Sequence, residues 1–140
     1  IALSLSDSFC VERHREEFCD LINKYVDIIF ANETEIQSLY QSNLQESLEK
    51  IRVMVEFGAI TLGSKGSIVF ENQTLNLMPA ITINDPVDTT GAGDIFASGF
   101  LFGITSKYSI KDCGMLGNKV ASDIIRYFGA RPKISLKSFL

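Results

Sequence analysis

A chain of 140 residues has room for one domain with its own core, and a composition of 46% hydrophobic and 21% charged residues sets aside disordered and fibrous classes. The formal net charge of −4 disfavours non-specific binding to nucleic acid or to an anionic membrane, because the long-range field repels a phosphate backbone. The phosphate of a small ligand is still within reach of backbone amides at a helix start.

In chain order, "IALSLSD" reads as an apolar strand, and Glu12 to Tyr25 as a helix through Phe18, Leu21, Ile22 and Tyr25. "DIIFAN" is a second strand, followed by a helix from about Glu33 to the polar break "QSN". Leu44 to Phe57 has helical spacing at Leu44, Leu48, Ile51 and Val55, and "AITLG" is a third strand. The stretch "GSKGSIVFENQTLNLMPAITIND" predicts two or three short antiparallel strands with turns at "SKG" and "ENQ". A helix is expected from Ala92 to about Ile104 and another from about Ile110 to Phe128, ended by "GARP". This alternation implies an α/β protein, a parallel sheet covered by helices that binds ligands beyond the carboxyl ends of its strands.

Other signals narrow the class. No run has the length of a membrane span and "IALSLSDSFC" lacks a basic leader region, so a soluble, untargeted chain is expected. Cys10, Cys19 and Cys113 are widely spaced without a C-x-x-C pair, which indicates neither disulfides nor zinc and fits a reduced, cytoplasmic setting. His14, between Arg13 and Arg15, reads as solvated surface, as do Arg131 and Lys133. Phe96, Phe100 and Phe102 read as core. The first residue is Ile1, in what reads as a strand already in mid-fold, so the chain is expected to be the later part of something longer.

Two glycine patterns mimic nucleotide loops. "GAITLGSK" has P-loop spacing but ends Ser64-Lys65, the reverse of the lysine-then-hydroxyl order that a P-loop needs. Gly91-Ala92-Gly93 starts a dinucleotide fingerprint whose third glycine is replaced by Phe96, which argues against a dinucleotide-dependent oxidoreductase. The stretch "DTTGAGDIFASGF" suits phosphoryl transfer better. Amides of Gly91, Ala92 and Gly93 at a helix start would stabilise negative charge, and Asp94 would take a proton from an attacking hydroxyl. In isolation, a glycine-rich turn with an acidic first-turn residue accounts for "GAGD" equally well.

The wider order of motifs decides between them. "DTTGAGD" before an apolar helix resembles the second signature of the ribokinase-type (PfkB) carbohydrate kinases, a family that includes nucleoside kinases. "ANETE" resembles that family's N-x-x-E pattern on Asn32 and Glu35, "TLGSKG" its nucleotide loop on Thr61, Gly63 and Gly66, and Asn118 its adenine-side asparagine. The resemblance covers nearly the whole chain and implies the C-terminal, ATP-binding and catalytic portion of a ribokinase-like three-layer α/β/α fold. That fold has a mostly parallel sheet with short antiparallel strands.

It also implies Asp94 as catalytic base and Gly91, Ala92 and Gly93 as anion hole. ATP would lie at Thr61, Gly63, Gly66, Asn118 and Asn32, and magnesium would be organised through water by Asn32 and Glu35. Asp88 and Thr90 resemble a monovalent-cation site, with K+ as the candidate ion. Each has a plainer alternative: a helix cap for Asn32 and Glu35, a hairpin turn for the glycines, and an Asx turn for Asp88.

The substrate side is less complete. Family members carry a preceding half that selects the acceptor, and none of it precedes Ile1, so a missing N-terminal half or a partner chain supplying it is expected; a homodimer is a further candidate assembly. "SLSDSFCVERHREEF" and "VDIIFANETE" look most like bacterial adenosine kinase-like members. An adenosine-like nucleoside is therefore expected over a free sugar, with its primary hydroxyl attacking the γ-phosphoryl of ATP. The competing class is a truncated or split kinase half that binds nucleotide or a partner without catalysis.

Overall fold

The computed structural model describes residues 1–139. They form two compact units: Ile1–Leu62 with Ile68–Asn76, and Gly63–Ser67 with the chain from Leu77 onward. Among the described residues no helix is long and apolar enough to cross a membrane.

The first unit contains β1 (Ala2–Ser4), α1 (Ser8–Arg13), α2 (Arg15–Tyr25), β2 (Ile28–Asn32), α3 (Glu33–Tyr40), α4 (Leu44–Ile51) and β3 (Phe57–Thr61). Two further strands, β4 (Ser67–Glu71) and β5 (Thr74–Met78), complete a five-stranded sheet in the order β1-β2-β3-β4-β5. β1 and β2, and β2 and β3, pair in parallel, and Asn32 stands opposite Thr61 at the end of the second ladder. The loops between β3 and β4 and between β4 and β5 are too short for a crossover, so these strands form hairpins on one side of the parallel part. The expected mixed α/β sheet is what forms.

Its core is Val11, Ile22, Ile29, Ile36, Ile60 and Phe70 with their neighbours, all buried. Gly58 is small for a packing reason. A Cβ there would overlap the Phe70 ring and lie 2.9 Å from Ile29.

The second unit is built on α5 (Ala92–Thr105) and α6 (Ile110–Ile124). Glycines let the two helices approach. A Cβ on Gly99 would lie 2.8 Å from Val120, one on Gly103 2.7 Å from the sulfur of Cys113, and one on Gly117 2.8 Å from the Phe96 ring. Phe96 and Phe100 are buried, as expected; Phe102 is 40% exposed and stacks edge-on against Tyr108, so its assignment to the core is corrected. Ile95, Leu116, Val120 and Ile124 form a cluster against which Leu136 and Phe139 pack.

Several boundaries differ from the sequence expectation. The helix expected over Glu12–Tyr25 is two helices. α1 starts earlier because the Asp7 carboxylate accepts the N–H groups of Phe9 and Cys10 at 3.1 and 3.2 Å, a cap of about 1 kcal/mol. It ends at His14, whose backbone (φ −122°, ψ 35°) leaves the helical region before α2 begins.

The helix expected to reach Phe57 stops at Ile51, and Phe57 opens β3, hydrogen-bonded through its N–H to Asp27 at 3.0 Å. Residues 79–91 form no third short strand. Pro79 has no N–H to give a ladder, and its carbonyl accepts instead from the Asn118 side chain. α6 ends at Ile124, short of Phe128.

Candidate functional site

Because β1, β2 and β3 are parallel, their carboxyl ends share one edge, where open α/β sheets bind ligands. Asn32 and Thr61 are neighbours there. Asn32 caps α3: its Oδ1 accepts the Glu35 N–H at 2.8 Å, while its own N–H and Nδ2 donate to the two Glu35 carboxylate oxygens at 2.9 and 2.8 Å. The helix-cap alternative is therefore the geometry built, as a complete capping box.

Glu35 is only 7% exposed. Burial pushes its carboxyl above the ordinary range, the Asn32 N–H pulls it down, and the negative charge of Asp7 pushes it up again. Asp7, which closes the loop after β1, is thus a second acid at this edge. Sequence reasoning missed it, although an aspartate immediately before an amphipathic segment is a helix-start signal.

In the second unit the glycine-rich turn has a specific backbone. Gly91 is the N-cap of α5 with φ 78° and ψ 0°, the left-handed region that favours glycine. A Cβ on it would also lie 2.6 Å from that of Ala130. Asp94 sits in the first turn of α5, exposed to solvent, with no hydrogen bond or ion pair among the described residues.

Of the amides assigned to an anion hole, that of Ala92 is engaged, donating to the Thr89 carbonyl at 3.2 Å. This corrects the expectation of an open donor at Ala92. The amides of Gly91, Gly93 and Asp94 donate to no backbone or side-chain acceptor among the described residues.

Asp88 ties this turn to the loop that follows α6. Its Oδ1 accepts the Thr90 N–H and its Oδ2 the Gly129 N–H, both at 2.9 Å, while the Val87 N–H reaches the Ile125 carbonyl at 2.8 Å. The first of these contacts is the Asx turn. A monovalent cation beside Asp88 and Thr90 would share the carboxylate with these donors, each oxygen keeping a further lone pair.

The Gly129 N–H, and then Thr90, hold the Asp88 carboxyl below its ordinary value of 3.8. For an acid shifted in this direction, the contribution to stability is present above 3.8 and is lost as pH falls through the lowered folded value. A carboxyl-carbon NMR titration should place the Asp88 midpoint below 3.8; a midpoint at or above it would show that the tie is not held.

Gly63 (φ 59°) opens a short 3-10 turn, Gly63–Lys65, and Gly66 (φ 101°) follows it, its N–H closing the turn onto the Gly63 carbonyl at 3.1 Å. Space around Gly63 is open, whereas a Cβ on Gly66 would overlap the Met78 carbonyl oxygen and lie 2.6 Å from the Ala80 nitrogen. Asn118, which resembles the family's adenine-side asparagine, is engaged by the fold. It is 8% exposed and its amide is bonded to Ser67, Met78 and Pro79.

The structure therefore groups the site residues by unit: Asn32, Glu35 and Thr61 in the first, Gly63, Gly66, Asp88, Thr90, Gly91 to Asp94 and Asn118 in the second. Arg131 and Lys133 are both exposed, as expected, with the Lys133 ammonium over the Tyr127 ring, 4.6 Å from its centre.

Comparison with known proteins adds the context for this geometry. The sequence pattern of one family, described as pfkB family carbohydrate kinase, matches residues 2–136. A probable sugar kinase from Rhizobium etli is 45% identical and superposes with a TM-score of 0.94 over 98% of this chain and 42% of its own. An adenosine kinase from Sinorhizobium meliloti is 42% identical, with a TM-score of 0.94 over the same shares. A ribokinase from Lactococcus lactis is 40% identical over 115 residues, 79% of this chain and 37% of that protein. The chain spans about two fifths of the length of the relatives it matches.

Proposed function

We propose, starting from the fact that this chain belongs to the pfkB family of carbohydrate kinases, that it is the catalytic portion of an ATP-dependent kinase that phosphorylates a primary hydroxyl of an adenosine-like nucleoside. The observation that carries this reading is the exposed Asp94 in the first turn of α5, following amides of Gly91 and Gly93 that no acceptor among the described residues engages.

In this reading the Asp94 carboxylate accepts the hydroxyl proton. The oxygen then bonds to the γ-phosphorus of ATP as the bond to the ADP oxygen breaks. The amides of Gly91, Gly93 and Asp94 donate to the charge that develops on the transferred group, aided by the positive end of the α5 dipole. The Gly63–Gly66 turn of the second unit is assigned to the nucleotide, glycine letting the backbone come close.

A hydrated magnesium ion would neutralise phosphate charge when bound. Glu35 and Asp7 are the two carboxyl groups at this edge of the first unit that would hold it. Glu35 has both oxygens already bonded to Asn32, so contact would run through water, as this small cation favours. No step is assigned to K+ beside Asp88, whose oxygens already accept N–H groups.

The adenosine-like acceptor is favoured by the 42% identity to a protein named adenosine kinase; the 40% identity to a ribokinase keeps a free sugar as the alternative. A phosphorylation assay of the polypeptide carrying this chain, over adenosine, inosine, ribose and fructose, should show turnover with adenosine first. Turnover with none of them would favour the second reading, a split kinase half that only binds nucleotide.

A further inference from the structure

The side chain of Asn118, in the middle of α6, has its carbonyl oxygen accepting the Ser67 hydroxyl at 3.2 Å. Its Nδ2 donates to the Pro79 carbonyl at 3.0 Å and, at a longer 3.4 Å, to the Met78 carbonyl. Ser67 is fully buried and Asn118 is 8% exposed. An amide group offers two donors and a carbonyl, and here every one of these functions is engaged inside the protein.

Asn118 therefore joins three separate stretches. Ser67 directly follows the turn Gly63–Gly66, and Met78–Pro79 is where the chain leaves β5, with Gly66 pressed against the same Met78 carbonyl. α6 packs in turn on α5, through Gly117 against Phe96. The turn that carries Gly63 and Gly66 is thus tied to the helix pair whose leading end carries Asp94.

We propose that Asn118 is a positioning residue: it fixes the Gly63–Ser67 turn against α6 and so sets nucleotide affinity through the turn, without contacting the base. This rests on the assignment of ATP to that turn made above. Two properties separate it from a base-reading asparagine. Loss of Asn118 should weaken adenine and guanine nucleotides alike, because the turn meets parts common to both. Its effect should also be coupled to that of Ser67, because the two side chains share one hydrogen bond.

The test uses Asn118→Ala, Ser67→Ala and the double variant, with ATP and GTP dissociation constants and amide hydrogen exchange over residues 63–67. Asn118→Ala should raise both dissociation constants about tenfold with their ratio unchanged, on the scale of a buried polar group left without its partner. The double variant should show less than the product of the single effects, and exchange at Gly66 should accelerate in every variant.

Loss of ATP affinity with GTP affinity intact would mean that Asn118 reads the base, and would overturn the proposal. So would unchanged exchange, or multiplicative effects in the double variant. Should Asn118→Ala fail to fold, Ser67→Ala removes only a hydroxyl and gives the same exchange readout. If the unsubstituted chain binds neither nucleotide, the assignment of ATP falls, and with it the effect of Asn118 on affinity; the exchange data then decide the tie alone.

Discussion

If the proposed kinase activity holds, replacing Asp94 by asparagine should lower phosphoryl transfer by about a thousandfold, with the ATP dissociation constant changed by less than about threefold. Asparagine keeps the size and the hydrogen-bonding reach of the side chain but cannot hold the proton of the attacking hydroxyl. Asp94 is exposed and makes no hydrogen bond or ion pair with another described residue, so its removal leaves no buried partner behind. What is lost in the fold is the interaction of one acid with the α5 dipole, about 0.3–1 kcal/mol. Single-turnover rates beside nucleotide titrations read the two effects apart. A parallel loss of binding and melting temperature would assign Asp94 a structural role instead.

The largest expected effect on stability is at Gly66. Gly66→Ala should cost about 3 kcal/mol, since alanine at φ 101° is strained and its Cβ would overlap the Met78 carbonyl oxygen. The neighbour is backbone, so no rotamer change relieves the overlap; the chain leaving β5 has to move. Gly63→Ala provides the control within the same turn. Its φ of 59° carries the backbone strain alone, with nothing within 4 Å of the added carbon, and a cost of about 1 kcal/mol is expected. Thermal melts monitored by circular dichroism should fall by on the order of 10 °C for the first variant and by only a few degrees for the second. Equal shifts would show that the Met78 overlap is not felt.

The strands and most helices were legible because apolar spacing changes sharply between them, as from "DIIFAN" to the segment after Glu33. The failures have local causes. Val55 continues the helical spacing of Leu44, Leu48 and Ile51 and is itself buried, so the period alone runs past the true end of α4 at Ile51. No glycine or proline marks that end.

Asn32 and Glu35 were readable both as a metal-side pair and as a cap because one spacing serves both, and the three hydrogen bonds between them show the cap to be formed. Asn118 was legible only as a position. Its partners Ser67, Met78 and Pro79 are distant in sequence, and no local pattern announces a side chain whose amide is used up by the fold. The same holds for Ala130, which meets Gly91 only through the folded chain.

The pairing of Asn32 with Thr61 in the parallel ladder has a consequence for engineering this molecule. Adjacent strands lie about 4.8 Å apart and side chains alternate between faces, so adding a single residue within β3 would turn Thr61 to the opposite face of the sheet. Chain length in these strands is thereby fixed to the residue, and even the exposed hairpin tip is tied down, the Asn72 N–H donating to the Glu56 carbonyl at 2.7 Å and the Gln73 carbonyl accepting from Arg52 at 3.0 Å, so an inserted peptide there would have to spare both bonds.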